Sequence, residues 1–245
     1  MIDLSQLKTE ALSTEPYRWA FTNRLFSTAD GEALVKTFPH DHFKTVAGND
    51  GEKGYQYEAR SLVAMGADCP ANAEHLSPAW QRLSKGLLSS AYREALSKVT
   101  GLKLTNLPME INLFHYGRKA WLGPHVDLED KVVSHIFYFN DVWDERDGGC
   151  LTILRSADIA QAVKVVTPLV GNSVILVRSE NSWHAVSRVR EGCRTSRRSM
   201  TVTFYRPGSP STMWPAGDAT PLHNYPGERS RLGRWMLQTW RQVAR

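Results

Sequence analysis

The stretch Gly-Pro-His-Val-Asp-Leu, residues 123–128, sets an imidazole, His125, two residues before a carboxylate, Asp127. In an extended segment, residues two apart project to the same side, so both groups can reach one ion. Two ligands do not make a catalytic metal site; a third protein ligand has to come from another element. His184, in "SENSWHAVSRV", opens a strand-like run 59 residues after His125, far enough for the chain to cross a pair of sheets and return. Two histidines and one carboxylate on one face of a metal leave its other positions open. That is the donor set of non-haem Fe(II) oxygenases.

Such a metal needs electrons and a co-substrate to activate O₂. If the co-substrate is 2-oxoglutarate, its distal carboxylate requires a fixed cation, and the planar fork of arginine pairs with a carboxylate through two hydrogen bonds. Arg188, Arg190, Arg194, Arg197 and Arg198 all follow His184, and the strand-like "SMTVTFY" begins directly after Arg198. Alternation groups Arg198 with Met200, Val202 and Phe204, and Arg197 with Ser199, Thr201 and Thr203. A cation on the apolar face is costly unless paired, and a bound dicarboxylate would pair it. Arg198 is therefore the expected carboxylate partner, with Arg197 and Arg194 as alternatives.

These groups need a rigid frame. From residue 108 onward, "MEINLFHY", "VVSHIFYFND", "CLTIL", "KVVTP", "NSVILVRS", "WHAVSRV" and "SMTVTFYRP" are short, β-branched or aromatic, and separated by turn residues. Short strands at that density predict an antiparallel sandwich or barrel. Before them, Ser27, Thr28 and Asp30 can cap a short helix stopped by Pro39, and "GYQYEARSLVAM" reads as a strand. Ser77-Pro78 can open one long helix, or two broken near Gly86, ending at Gly101. Helices followed by strands predict a mostly β fold whose N-terminal helices pack on one outer sheet face. Near the C-terminus, Leu232, Trp235, Met236, Trp240 and Val243 fall on one face of a predicted amphipathic helix.

Taken together, "NLFHYGRKAWLGPHVDLEDKVVSHIFYFNDVWDERDGGCLTIL", "NSVILVRSENSWHAVSRV" and "RSMTVTFYRP" resemble the Fe(II)- and 2-oxoglutarate-dependent dioxygenases, in their prolyl-hydroxylase-like branch. The resemblance spans about residues 108–206. It implies a double-stranded β-helix (jelly roll) core with His125, Asp127 and His184 on the iron and Arg198 on the 2-oxoglutarate carboxylate. It also implies Tyr138 beside that carboxylate, Leu151 and Phe204 lining the co-substrate pocket, and Tyr116 near the iron. Fe(II), 2-oxoglutarate and O₂ would be consumed or bound, with ascorbate helpful in vitro. In related halogenases a small residue replaces the carboxylate, so the presence of Asp127 favours hydroxylation, desaturation or ring formation. The interval from His184 to Arg198, fourteen residues, is longer than is common in the branch.

The chain is expected to be a single dioxygenase domain over 1–245. Residues 1–107 would give support and substrate contacts, 108–206 the catalytic core, and 207–245 a C-terminal extension. The resemblance stops short of residues 1–107, so substrate choice is not inherited. A small molecule, such as an amino acid or natural-product intermediate, is the expected substrate; a peptidyl proline and a non-catalytic jelly-roll binding module are the alternatives. Trp121, Arg118 and Lys119, read as a rim loop, are candidate substrate contacts. The His-Asp-His run at 40–42 is read as a solvated turn, and His115 and His135 as structural.

The chain has 245 residues, 42% hydrophobic and 22% charged, with a formal net charge of +5. Its basic clusters lack the interleaved aromatics of a single-strand platform, so no nucleic-acid partner is expected. Cys69, Cys150 and Cys193 have no C-x-x-C spacing, which suits a reducing compartment. No secretory start or membrane-length apolar run is evident. A cytoplasmic monomer or homodimer follows as the expectation.

Overall fold

The computed structural model describes residues 1–8, 11–49 and 54–214. The N-terminal part contains β1 (Leu12–Ser13), β2 (Trp19–Thr22), α1 (Thr28–Lys36), β3 (Lys44–Asn49), β4 (Gly54–Val63), α2 (Pro78–Leu88) and α3 (Ser90–Thr100). The remainder contains β5 (Met109–Tyr116), β6 (Trp121–His125), β7 (Lys131–Tyr138), β8 (Leu151–Leu154), β9 (Ala162–Val166), β10 (Ser173–Val177), β11 (His184–Val186) and β12 (Arg197–Tyr205). Their order is β1-β2-β10-β7-β12-β5-β4-β6-β11-β8-β9, with β3 on β4, and every strand pair is antiparallel.

This order is a jelly roll: β5, β12, β7 and β10 form one layer, and β6, β11, β8 and β9 the other. The long strand β4 joins them. Its residues Glu58–Val63 pair with β5, while Tyr55 and Gln56 pair with Leu122 and Trp121 of β6. The chain is thus mostly β with flanking helices, as expected.

The helices start where their caps allow. Ser27 Oγ accepts from the Asp30 amide at 3.2 Å, and Ser77 caps α2 with Pro78 in the first turn. The break between α2 and α3 falls at Ser89, which ends one helix and caps the next, accepting from the Tyr92 amide at 3.3 Å. Gly86 stays inside α2. Gly101, at φ +67°, ends α3 in the left-handed region that glycine tolerates.

Trp80, Leu83 and Leu87 of α2, with Tyr92 and Leu96 of α3, share one core with Leu113, Phe137, Met200, Val202 and Phe204 of the first layer. Burying each such large apolar side chain contributes about 1.5–3 kcal/mol, so this contact fixes the outer face of the β5-β12-β7-β10 layer. A second core, including Tyr138, Leu151, Ile153, Val174 and Val186, lies between the two layers. The helices therefore sit behind the first layer, and the opposite face of that layer looks inward.

Trp121, read as part of a rim loop, opens strand β6, which takes in Gly123 and Pro124 despite their turn-favouring types and runs through to His125. The small strands β1, β2 and β3 were not anticipated. The predicted C-terminal amphipathic helix lies outside the described residues. Among the described residues, no helix is long and apolar enough to cross a membrane.

Candidate active site

His125 is the last residue of β6 and His184 the first of β11, and the two are direct partners across that ladder. Their ring centres are 4.2 Å apart. Asp127 follows β6 by two residues, and one ligand atom from each of His125, Asp127 and His184 lies within 4.8 Å of the others. Both imidazole Nδ1 atoms face backbone carbonyls at 2.9 Å, that of Gly123 for His125 and that of Ser182 for His184. A carbonyl can only accept, so Nδ1 carries the proton and Nε2 presents its lone pair to a metal. Asp127 accepts from Lys131 Nζ at 2.7 Å and from Ser134 Oγ at 3.0 Å. Burial opposes its charge, yet Lys131, His184 and His125 together outweigh that and hold the carboxyl well below the ordinary range. The donor set fits Fe(II).

The triad opens on a cavity between the layers, with an empty volume of about 1000 Å³ including its mouth. Arg197, Ser199, Thr201, Thr203 and Tyr205 of β12 face into it. Arg197 is 3% exposed, and its guanidinium lies 4.6 Å from the Tyr116 ring centre and 5.3 Å from that of Tyr138. Its Nη1 donates to Ser199 Oγ at 2.7 Å, whereas its buried Nε has no hydrogen-bond partner. Among the described residues no carboxylate forms an ion pair with it. A buried fork with an unsatisfied donor and no acid of its own is suited to an incoming carboxylate. Burial pushes the Tyr116 phenol up to about 12, restrained by Arg197, so it stays protonated beside the guanidinium.

The structure corrects the placement of Arg198. It lies on the outer face of the first layer, its guanidinium 5.7 Å from the Phe38 ring centre. Phe204 shares that face: it belongs to the helix-packed core, with the Arg93 guanidinium 5.2 Å from its ring centre. The reason is which side the helices cover. The apolar positions of β12 meet α2 and α3, and the polar ones line the cavity, opposite to the expectation that the apolar face holds the co-substrate. Arg194 lies on the turn before β12 and is exposed.

Leu151 and Tyr116 line the cavity, Tyr116 beside Arg197, and Tyr138 is fully buried next to the same guanidinium. The three rim candidates do not line it. Arg118 Nε donates to the Cys193 carbonyl at 3.0 Å, Lys119 pairs with Glu191 at 2.7 Å, and Trp121 is stacked by Arg188 at 3.8 Å. They anchor the turn before β12. The 40–42 run is not a bare turn either: Asp41 pairs with fully buried Arg60 at 3.5 Å.

Several cavity residues escaped the sequence reading: Tyr55 and Tyr57 of β4, Glu110 and Asn112 of β5, and Ser134 of β7. Polar residues at every second position of β5 and β12 were the available signal, since buried strand positions are polar only when something polar faces them.

Residues 111–205 match the family model described as the 2OG-Fe(II) oxygenase superfamily. No curated protein matches the chain by sequence. Among solved structures, a Pseudomonas putida prolyl-4-hydroxylase is similar at 19% identity and TM-score 0.52, covering 77% of this chain and 92% of that one. A Trichoplax adhaerens prolyl hydroxylase, solved with a peptide fragment of the hypoxia inducible factor oxygen degradation domain, is similar at 13% identity and TM-score 0.55, covering 83% and 87%. A Phytophthora capsici prolyl 4-hydroxylase is similar at 16% identity and TM-score 0.56, covering 95% and 71%. At these identities the likeness is one of fold.

Proposed function

We propose that this chain is a 2OG-Fe(II) oxygenase, a reading supported by the family match over residues 111–205, and that it oxidises a C–H position of a small molecule such as an amino acid or natural-product intermediate. Held at this site, Fe(II) and 2-oxoglutarate would supply O₂ activation coupled to the conversion of 2-oxoglutarate to succinate and CO₂. The chain's own residues hold and orient. His125, Asp127 and His184 would ligate the metal. Ser134 and Lys131 fix the Asp127 carboxylate. Arg197 would hold the distal carboxylate of 2-oxoglutarate, with Tyr116 and Tyr138 excluding water around the fork. Hydroxylation, desaturation and ring formation are all compatible with a retained Asp127.

One observation carries the preference for a small molecule. Residues 211–214 fold across one end of the cavity, where Thr212 and Met213 line it. Ser211 Oγ donates to Glu110 at 2.7 Å and Trp214 Nε1 to Asn112 Oδ1 at 2.6 Å. A peptide would need that end open. This reading takes the partner to be a small molecule rather than nucleic acid or membrane, and the setting to be the cytoplasm.

The test is a substrate library with purified protein, Fe(II), ascorbate and 2-oxoglutarate, scored by mass. A gain of one oxygen or loss of two hydrogens in a small molecule, with succinate release abolished in His184→Ala, is expected. Conversion of prolyl peptides alone would move the assignment to a protein target, and incorporation of chlorine would contradict the role given to Asp127.

A further inference from the structure

Glu110 is a cavity carboxylate that neither the metal nor 2-oxoglutarate uses. It is 2% exposed, faces inward from β5, and among the described residues forms no ion pair. Its hydrogen bonds come from neutral hydroxyls: Tyr205 donates to Oε1, and Ser211 donates to Oε2 at 2.7 Å. Hydroxyls satisfy lone pairs without neutralising charge, and a charge kept from water with no counter-charge is costly. Lys131, another charged residue of the cavity wall, is already held by Asp127 at 2.7 Å.

Register places Glu110 relative to the metal ligands. Glu110 pairs with Thr203 of β12, Thr203 pairs with Ser134 of β7, and Ser134 Oγ donates to Asp127. Two strand spacings, roughly 10 Å, separate the Glu110 backbone from that of Ser134. Arg197 lies six residues from Thr203 on the same strand, roughly 20 Å along it. The inner face of the first layer is therefore bipolar: a cation at one end, an anion at the other, and the triad on the facing layer. Such a field draws a dicarboxylate to Arg197 and repels it from Glu110. Its opposite end suits a cation.

We infer that Glu110 binds a cationic nitrogen of the substrate, an ammonium or guanidinium, so that the molecule oxidised is a basic, amino-acid-sized compound. This rests on the oxygenase reading of the cavity and adds the substrate's charge class. The same carboxylate also ties down residues 211–214, so its occupancy and the closed end of the cavity are one arrangement.

The probes are butylguanidinium and its neutral counterpart butylurea, titrated calorimetrically into metal-free protein. The wild type should bind butylguanidinium at least tenfold more tightly than butylurea, and Glu110→Gln, checked for folding by circular dichroism, should bind the two within about twofold. Should that variant not fold, Glu110→Asp, which keeps the charge but draws it back by one methylene, serves instead: the preference for butylguanidinium must shrink while butylurea binding stays within about twofold. Equal binding of the two probes by the wild type, or a preference that survives unchanged in the Glu110 variant, overturns the inference. Succinate release from the same wild-type preparation separates the two readings. Turnover without a guanidinium preference removes the cation site alone, and a preference without Fe(II)-dependent turnover removes the oxygenase reading.

Discussion

Arg197 and Tyr116 are direct partners across the β5–β12 ladder, and the guanidinium rests 4.6 Å from the phenol ring centre with its Nε unsatisfied. The ring fixes the fork's plane, so the donors point in one direction before any ligand arrives.

Arg197→Ala should therefore weaken 2-oxoglutarate binding by roughly a hundredfold, since each hydrogen bond to a charged group contributes about 1.5–3 kcal/mol. Arg198→Ala, on the far face, should leave it within about twofold. Titrations of 2-oxoglutarate under anaerobic conditions with Fe(II) decide between the two arginines; a larger effect at Arg198 would reject the assignment.

Ser134→Ala removes one of the donors that orient Asp127. Groups that orient a metal ligand typically change affinity by about 10- to 100-fold, so Fe(II) affinity should fall by at least tenfold while the melting temperature barely moves. Competition with a coloured chelator measures it. An unchanged affinity means that Lys131 alone sets the carboxylate.

Gly148→Ala should cost stability, not chemistry. At φ +71° an added Cβ would lie 2.0 Å from the Arg188 carbonyl oxygen, a backbone atom that cannot swing aside. Backbone strain and the clash together should remove about 2–4 kcal/mol, read from urea unfolding. Gly86→Ala, inside α2 with open space around it, should be neutral or slightly stabilising by the same measurement.

Acid should destabilise the fold through His135. Burial lowers this imidazole from 6.5 to about 3, and it sits between the Tyr92 hydroxyl at 2.9 Å and Ser173 Oγ at 3.1 Å. The folded pKa is depressed, so the unfolded chain binds the extra proton between those values. Stability is then complete above the unfolded pKa and falls as pH drops through the window. From the unfolded pKa down to about pH 5 the loss should be about 2 kcal/mol. His135→Gln, which keeps a donor and an acceptor, should flatten that slope. His115, lowered to about 4 first by burial and then by Arg198 and His40, leaves a remainder. A slope unchanged in His135→Gln would assign the acid sensitivity elsewhere.

Much of the frame was legible because it depends on neighbours in the chain. Ser27 and Ser77 announce helix starts, Gly101 a helix end, and β-branched or aromatic runs between turn residues the strands β5, β7, β10 and β12. The spacing of His125 and Asp127 needs no fold to put them on one side of an ion. Strand β6 was hidden because Gly123 and Pro124 carry turn chemistry, and its pairing with β11 and β4 overrides that local preference.

What the sequence determined by itself was the ligand chemistry, the strand-rich core and the parity of β12, with Arg197 and Arg198 on opposite faces. Only the tertiary structure decided which face was which. Alternation separates two faces but carries no sign; the sign comes from where α2 and α3 pack, since they cover the apolar face and leave the polar one to the cavity. The row Glu110–Thr203–Ser134 was equally out of reach. Its members are far apart in the chain and become neighbours only through register, which pairing across three strands sets.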